Sequence, residues 1–97
     1  LVLIMGLMNT RPPAAVLAPF VGMAQQVFTL TIPGEPNAHK AAYIAGEARK
    51  AGFDARPMRS VTAALKAAAA VPGARVLICG SLYLAGAVLA QNKTPPD

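Results

Sequence analysis

The chain is read as an α/β protein: a mainly parallel sheet of four strands sandwiched between helices, with strands and helices alternating from end to end. Three observations predict this. Short β-rich runs alternate with longer stretches in which apolar residues recur three and four positions apart. The runs are continuously apolar, as in strands covered on both faces. Proline, glycine, asparagine and serine punctuate the junctions between them.

Leu1–Leu7 is the first strand. Asn9 and Thr10 then cap a helix whose first turn takes Pro12 and Pro13, where a missing N–H costs little. Its stripe is Val16, Phe20 and Ala24, and Pro19 must kink or split it. Val27–Ile32 is the second strand, ended by the loop Pro33-Gly34-Glu35-Pro36-Asn37. A helix over Ala38–Ala51 buries Ile44 and Ala48, and Gly52 terminates it. The third strand, Phe53–Met58, is short. Ser60 caps a helix containing Val61, Leu65 and Ala68, stopped at Pro72-Gly73. The last strand is Arg75–Cys79, and a helix follows from near Ser81 to Gln91. Right-handed crossovers give a Rossmann-like three-layer α/β/α arrangement with four strands and four helices, one domain over 1–91 and a frayed tail over 92–97. In such sheets ligands bind beyond the carboxyl ends of the strands, where strand order reverses. The loops Gly6–Pro13 and Cys79–Leu82 compete for that position.

Composition narrows the function classes. With 55% hydrophobic and 13% charged residues, the 97-residue chain buries enough apolar surface to fold, which excludes disorder. One cysteine excludes an internal disulfide and a thiolate zinc site, and points to a reducing, cytoplasmic setting. Neither Leu1–Met8 nor Val76–Ala90 reaches the ~20 apolar residues of a membrane span. Nothing basic precedes Leu1–Met8, and Arg11-Pro12-Pro13 is unlike a cleavage site, which argues against export. The chain opens directly on an apolar run without an initiator Met, so a piece of a longer protein is expected. The nine Lys and Arg residues are scattered without aromatic interleaving, so nucleic acid is not an expected partner.

No catalytic constellation is visible. Glu35, Glu47, Asp54 and Asp97 are far apart, His39 has no evident partner and reads as a surface residue at a helix start, and Cys79 reads as a buried structural thiol. Gly80 and Gly86 lack the companions of a dinucleotide or phosphate loop, and no metal ligands are expected. Ser81 stands out, because a Gly-Ser step between strand and helix places a hydroxyl and free N–H groups where an anion docks; simple capping fits it equally. Thr10 and Arg11 fall on the same edge, where a cap and a solvated charge are the plainer roles.

At Arg75–Leu89, which contains Cys79-Gly80-Ser81-Leu82-Tyr83-Leu84-Ala85, the chain closely resembles the closing strand and helix of bacterial folylpolyglutamate synthase / dihydrofolate synthase. There the strand ends in Cys-Gly-Ser or Thr-Gly-Ser. Gly6-Leu7-Met8-Asn9-Thr10 is similar to the family's Gly-Met-Leu-Asn-Thr, and Ile32-Pro33-Gly34-Glu35-Pro36-Asn37 to the loop that follows. Where the family has Lys-Asp after the threonine, this chain has Arg11-Pro12: the cation persists and the carboxylate is lost.

The resemblance implies the C-terminal domain, akin to that of the Mur ligases, of an ATP-dependent ligase. In such an enzyme a pteroate or folate carboxylate is phosphorylated and then attacked by the amine of glutamate. ATP and Mg belong to an N-terminal ATP-binding domain, the implied partner of this one; its phosphate loop and an Asp-x-Ala-His-Asn motif are not in this sequence. Folate and glutamate are the implied substrates, the parent is expected to be monomeric, and this segment alone is expected to be inert and to bind no cofactor. The residues implied to touch substrate are Ser81, Gly80, Thr10, Arg11 and Asn9, none of them catalytic. Two other readings stay open: a free-standing α/β module for a small anionic metabolite, and a domain whose sheet edge pairs with another chain.

Overall fold

Strand β1, Val2–Gly6, lies fully buried inside a four-stranded parallel sheet of order β3-β2-β1-β4. The computed structural model describes residues 1–80; the helix expected near Ser81–Gln91 and the tail Asn92–Asp97 lie outside the described residues. The elements after β1 are α1 (Pro13–Leu17), β2 (Gln26–Thr29), α2 (Ala41–Lys50), β3 (Ala55–Pro57), α3 (Val61–Ala69) and β4 (Val76–Gly80). The strict βα alternation and the parallel pairing are those the sequence predicts, with three α-helices among the described residues.

Two apolar layers form because side chains alternate across a strand. Val2, Ile4 and Phe28 point to one face and pack with Val61, Ala64 and Ala68 of α3. Leu3, Met5 and Val27 point to the other and pack with Leu17 of α1 and Ile44, Ala45 and Ala48 of α2. The unbroken apolarity of β1 is thus explained: both its faces are covered and both its edges are paired.

Several boundaries move from their sequence-predicted positions. Asn9 and Thr10 do not cap α1: its N-cap is Pro12, without a side-chain cap hydrogen bond, because the chain first turns sideways after Leu7. Pro19 splits the helix as expected, leaving a 3-10 turn over Ala18–Phe20. Helix α2 starts at Ala41 rather than Ala38, because Ala38 is taken into an isolated antiparallel bridge with Met8. Gly52 ends α2 at φ +96°, as a C-terminal glycine does. Ser60 caps α3, its hydroxyl accepting from the Ala63 N–H at 3.0 Å. On α3, Ala64 takes the fully buried place expected of Leu65, which is half-buried.

Strand β4 departs most from expectation. It was expected to be buried, yet Val76, Leu77 and Ile78 are 43%, 41% and 36% exposed. Among the described residues it is an edge strand, and of its side chains only Cys79 joins the α1/α2 layer. Beside it, an open apolar groove of about 420 Å³ is lined by Leu65, Lys66, Ala68, Ala69 and Val76.

Candidate functional site

The strand order fixes where the two candidate loops fall. From β1 the chain steps outward to β2 and β3, and α3 then carries it back past β1 to β4 on the other side. The connection leaving β1 thus runs towards β2, while β4 is reached on its other side from α3, so strand order reverses between β1 and β4, the switch point of an open α/β sheet. Both candidate loops start there.

The floor of this crevice is bare backbone. Gly6 and Gly80 pair at the carboxyl ends of β1 and β4. Gly80 has φ +130°, which L side chains rarely adopt, and a Cβ there would run into the Gly6 carbonyl oxygen. Glycine is required at Gly80 by the chain path itself.

Above it, Asn9, Thr10 and Arg11 share one exposed turn, in which the Arg11 N–H donates to the Met8 carbonyl at 3.0 Å. Four of the five predicted site residues thus sit at one edge of the sheet; the fifth, Ser81, lies outside the described residues. The loops after β1, β2 and β3 carry the exposed cations Arg11, Lys40 and Arg59, with Glu35 the single acid on those loops. Cations that look scattered in sequence are gathered because every βα connection of a parallel sheet emerges on the same side. The arrangement suits an anionic ligand.

Sequence reasoning missed the residues that hold this edge in shape. The buried Thr29 hydroxyl donates to the Ala41 carbonyl at 2.7 Å, and the Thr31 hydroxyl accepts from the Ala41 N–H at 2.9 Å. Together they pin the first residue of α2 to the end of β2. In sequence, two threonines flanking Leu30 signal only strand propensity. His39, expected to lack a partner, has its Nε2 3.1 Å from the Arg11 carbonyl oxygen.

Cys79 is half-buried beside this crevice, and burial pushes its thiol up to about 11. It is a protonated structural thiol near neutrality, not an activated nucleophile. Among the described residues no group of three His, Cys, Asp or Glu side chains comes together to hold a metal ion. Nor, among them, is any helix long and apolar enough to cross a membrane.

No protein-family profile and no curated protein matches the sequence. Two solved structures share the fold, both of Mycobacterium tuberculosis folylpolyglutamate synthase. One, complexed with ADP and AMPPCP, has a TM-score of 0.76 and 20% identity, covering 99% of this chain and 24% of that one. The other, complexed with ADP, has a TM-score of 0.78 and 19% identity over the same shares of 99% and 24%. The chain thus spans about a quarter of the length of these enzymes, 24% in each case, and over nearly all of its own length it has the α/β fold of a folylpolyglutamate synthase domain.

Proposed function

We propose that the chain is the C-terminal domain of an ATP-dependent ligase that joins glutamate to dihydropteroate or folate, supplying a substrate-side wall rather than the phosphate-activating machinery. The observation that carries the reading is that the Gly-Leu-Met-Asn-Thr and Cys-Gly motifs fall at the switch point of a sheet matching 99% of the chain to part of such an enzyme. Arg11 attracts a substrate carboxylate, and Thr10 and Asn9 offer hydrogen-bonding groups beside it. Gly6 and Gly80 let the ligand approach the backbone; Ser81, which the family resemblance also implies at the substrate, lies outside the described residues. ATP and Mg are held by the N-terminal domain of the same polypeptide in this reading. Closure of the two domains assembles the site, in the cytoplasm and in a monomeric enzyme.

The test is ATP-dependent turnover by the polypeptide of which this segment is a part, read as ADP release and as the mass of a glutamylated folate. Glutamate-dependent turnover is expected, with none from the 97 residues alone. Arg11→Ala should raise KM for folate or glutamate. A polypeptide without any such turnover overturns the reading. A saturable thermal shift of the isolated chain with folates, nucleotides or amino acids would instead favour the free-standing binding module.

A further inference from the structure

We propose that His39 is a positioning residue that fixes the Asn9–Arg11 turn from the neighbouring β2–α2 loop, and through it the Thr10 and Arg11 side chains. The substrate side of this inference rests on the reading above; the structural side does not.

The turn has little to hold it from within. Its internal bond is the Arg11 N–H to the Met8 carbonyl, Pro12 and Pro13 after it have no N–H to donate, and α1 is five residues long without a side-chain cap. Its order comes from the side. Met8 and Ala38 form an antiparallel bridge. The Asn9 N–H donates to the Asn37 carbonyl at 2.8 Å, and the His39 N–H donates to the Leu7 carbonyl at 2.8 Å. These two hydrogen bonds, which together make the bridge, end at Asn9, two residues short of Arg11. The reach to Arg11 is made by the His39 ring, whose Nε2 lies 3.1 Å from the Arg11 carbonyl oxygen. A carbonyl only accepts, so Nε2 carries the hydrogen and donates.

The ring is itself well mounted. It lies against Tyr43 of α2 at 4.8 Å between centroids, tilted by 36°. Helix α2 is in turn pinned at Ala41 by Thr29 and Thr31. A continuous mount thus runs from the buried end of β2, through α2 and the His39 ring, to the backbone of Arg11, one of the three cations at this edge.

Two experiments decide it. In the 97-residue chain, amide hydrogen exchange at Asn9 and Arg11 should quicken in His39→Ala and return towards the original rate in His39→Gln, whose amide also donates. Exchange at Leu30, which donates to Met5 in the sheet, should stay unchanged and so report an intact fold. In the active polypeptide, His39→Ala should raise KM for folate or glutamate roughly 3- to 10-fold, the scale of one lost hydrogen bond, with kcat nearly unchanged and His39→Gln restoring KM. Unchanged exchange at Asn9 and Arg11 overturns the proposal, as does a failure of His39→Gln to rescue either readout. If Arg11→Ala raises KM and His39→Ala does not, the role towards substrate is overturned. If Arg11→Ala is itself without effect, the site reading fails, and the exchange rates alone settle whether His39 fixes the turn.

Discussion

Gly80 shows how the backbone alone can dictate a residue. Its φ of +130° and its approach to the Gly6 carbonyl leave no room for a methyl group. Gly80→Ala should lower stability by about 2 kcal/mol or more, read as a lower urea midpoint. Ser60 is the opposite kind of case, a replaceable polar cap: Ser60→Ala should cost about 1 kcal/mol at unchanged urea slope. Cys79 yields a chemical test. Because burial lifts its thiol to about 11, alkylation by iodoacetamide should be slow at pH 8 and keep accelerating towards pH 11, whereas an exposed thiol levels off near its ordinary value of about 8.5. A plateau by pH 9 would contradict the burial. At this scale the sequence was legible where a residue's chemistry acts on its neighbours in the chain, as in Ser60 or Gly52. It was illegible where the partner is remote: nothing in His39 or Thr31 names Arg11 or Ala41.

Helix α2 extends the same point to a whole element. Its apolar face, Ile44 with Ala48, follows from the spacing of residues and was readable directly. Its start was not, because it depends on Ala38 pairing with Met8 and on Thr29, the last residue of β2, and Thr31 just after it. Thr29→Val and Thr31→Ala should each cost about 1 kcal/mol. Both act on Ala41, so the double variant should depart from additivity, and a double-mutant cycle that closes to zero would show the two bonds to be independent. Strand β4 failed in the other direction. Its apolar run reads as a covered strand, but burial belongs to a strand's neighbours, and the described residues cover it poorly.

For the whole molecule, stability should be concentrated around β1. Ile4→Ala, at a fully buried site facing α3, should cost about 2–5 kcal/mol. Leu77→Ala, on the exposed edge strand, should cost less than about 1 kcal/mol by the same urea titration. A Leu77→Ala loss as large as that of Ile4→Ala would mean that β4 is covered in solution. The two sheet edges also differ in kind. Edge β3 is short and carries Arg56 and Pro57, residues that discourage further pairing, whereas β4 offers Val76, Leu77 and Ile78.

The strand order also sets a timetable for folding. During synthesis β1 emerges before every other strand described, and β2 follows soon after, so one side of β1 can be paired early. Its other neighbour, β4, appears only after α2, β3 and α3 have been made. The innermost strand of the sheet is therefore among the first to exist and the last to be enclosed, a long-range closure of the kind that slows folding and leaves apolar surface unguarded meanwhile. The amides record the order. Leu30 donates to Met5 across the β1–β2 side, and Val2 donates to Arg75 across the β1–β4 side. In pulse-labelled refolding Leu30 should gain protection before Val2, and a solvent change that slows folding should widen the interval between them.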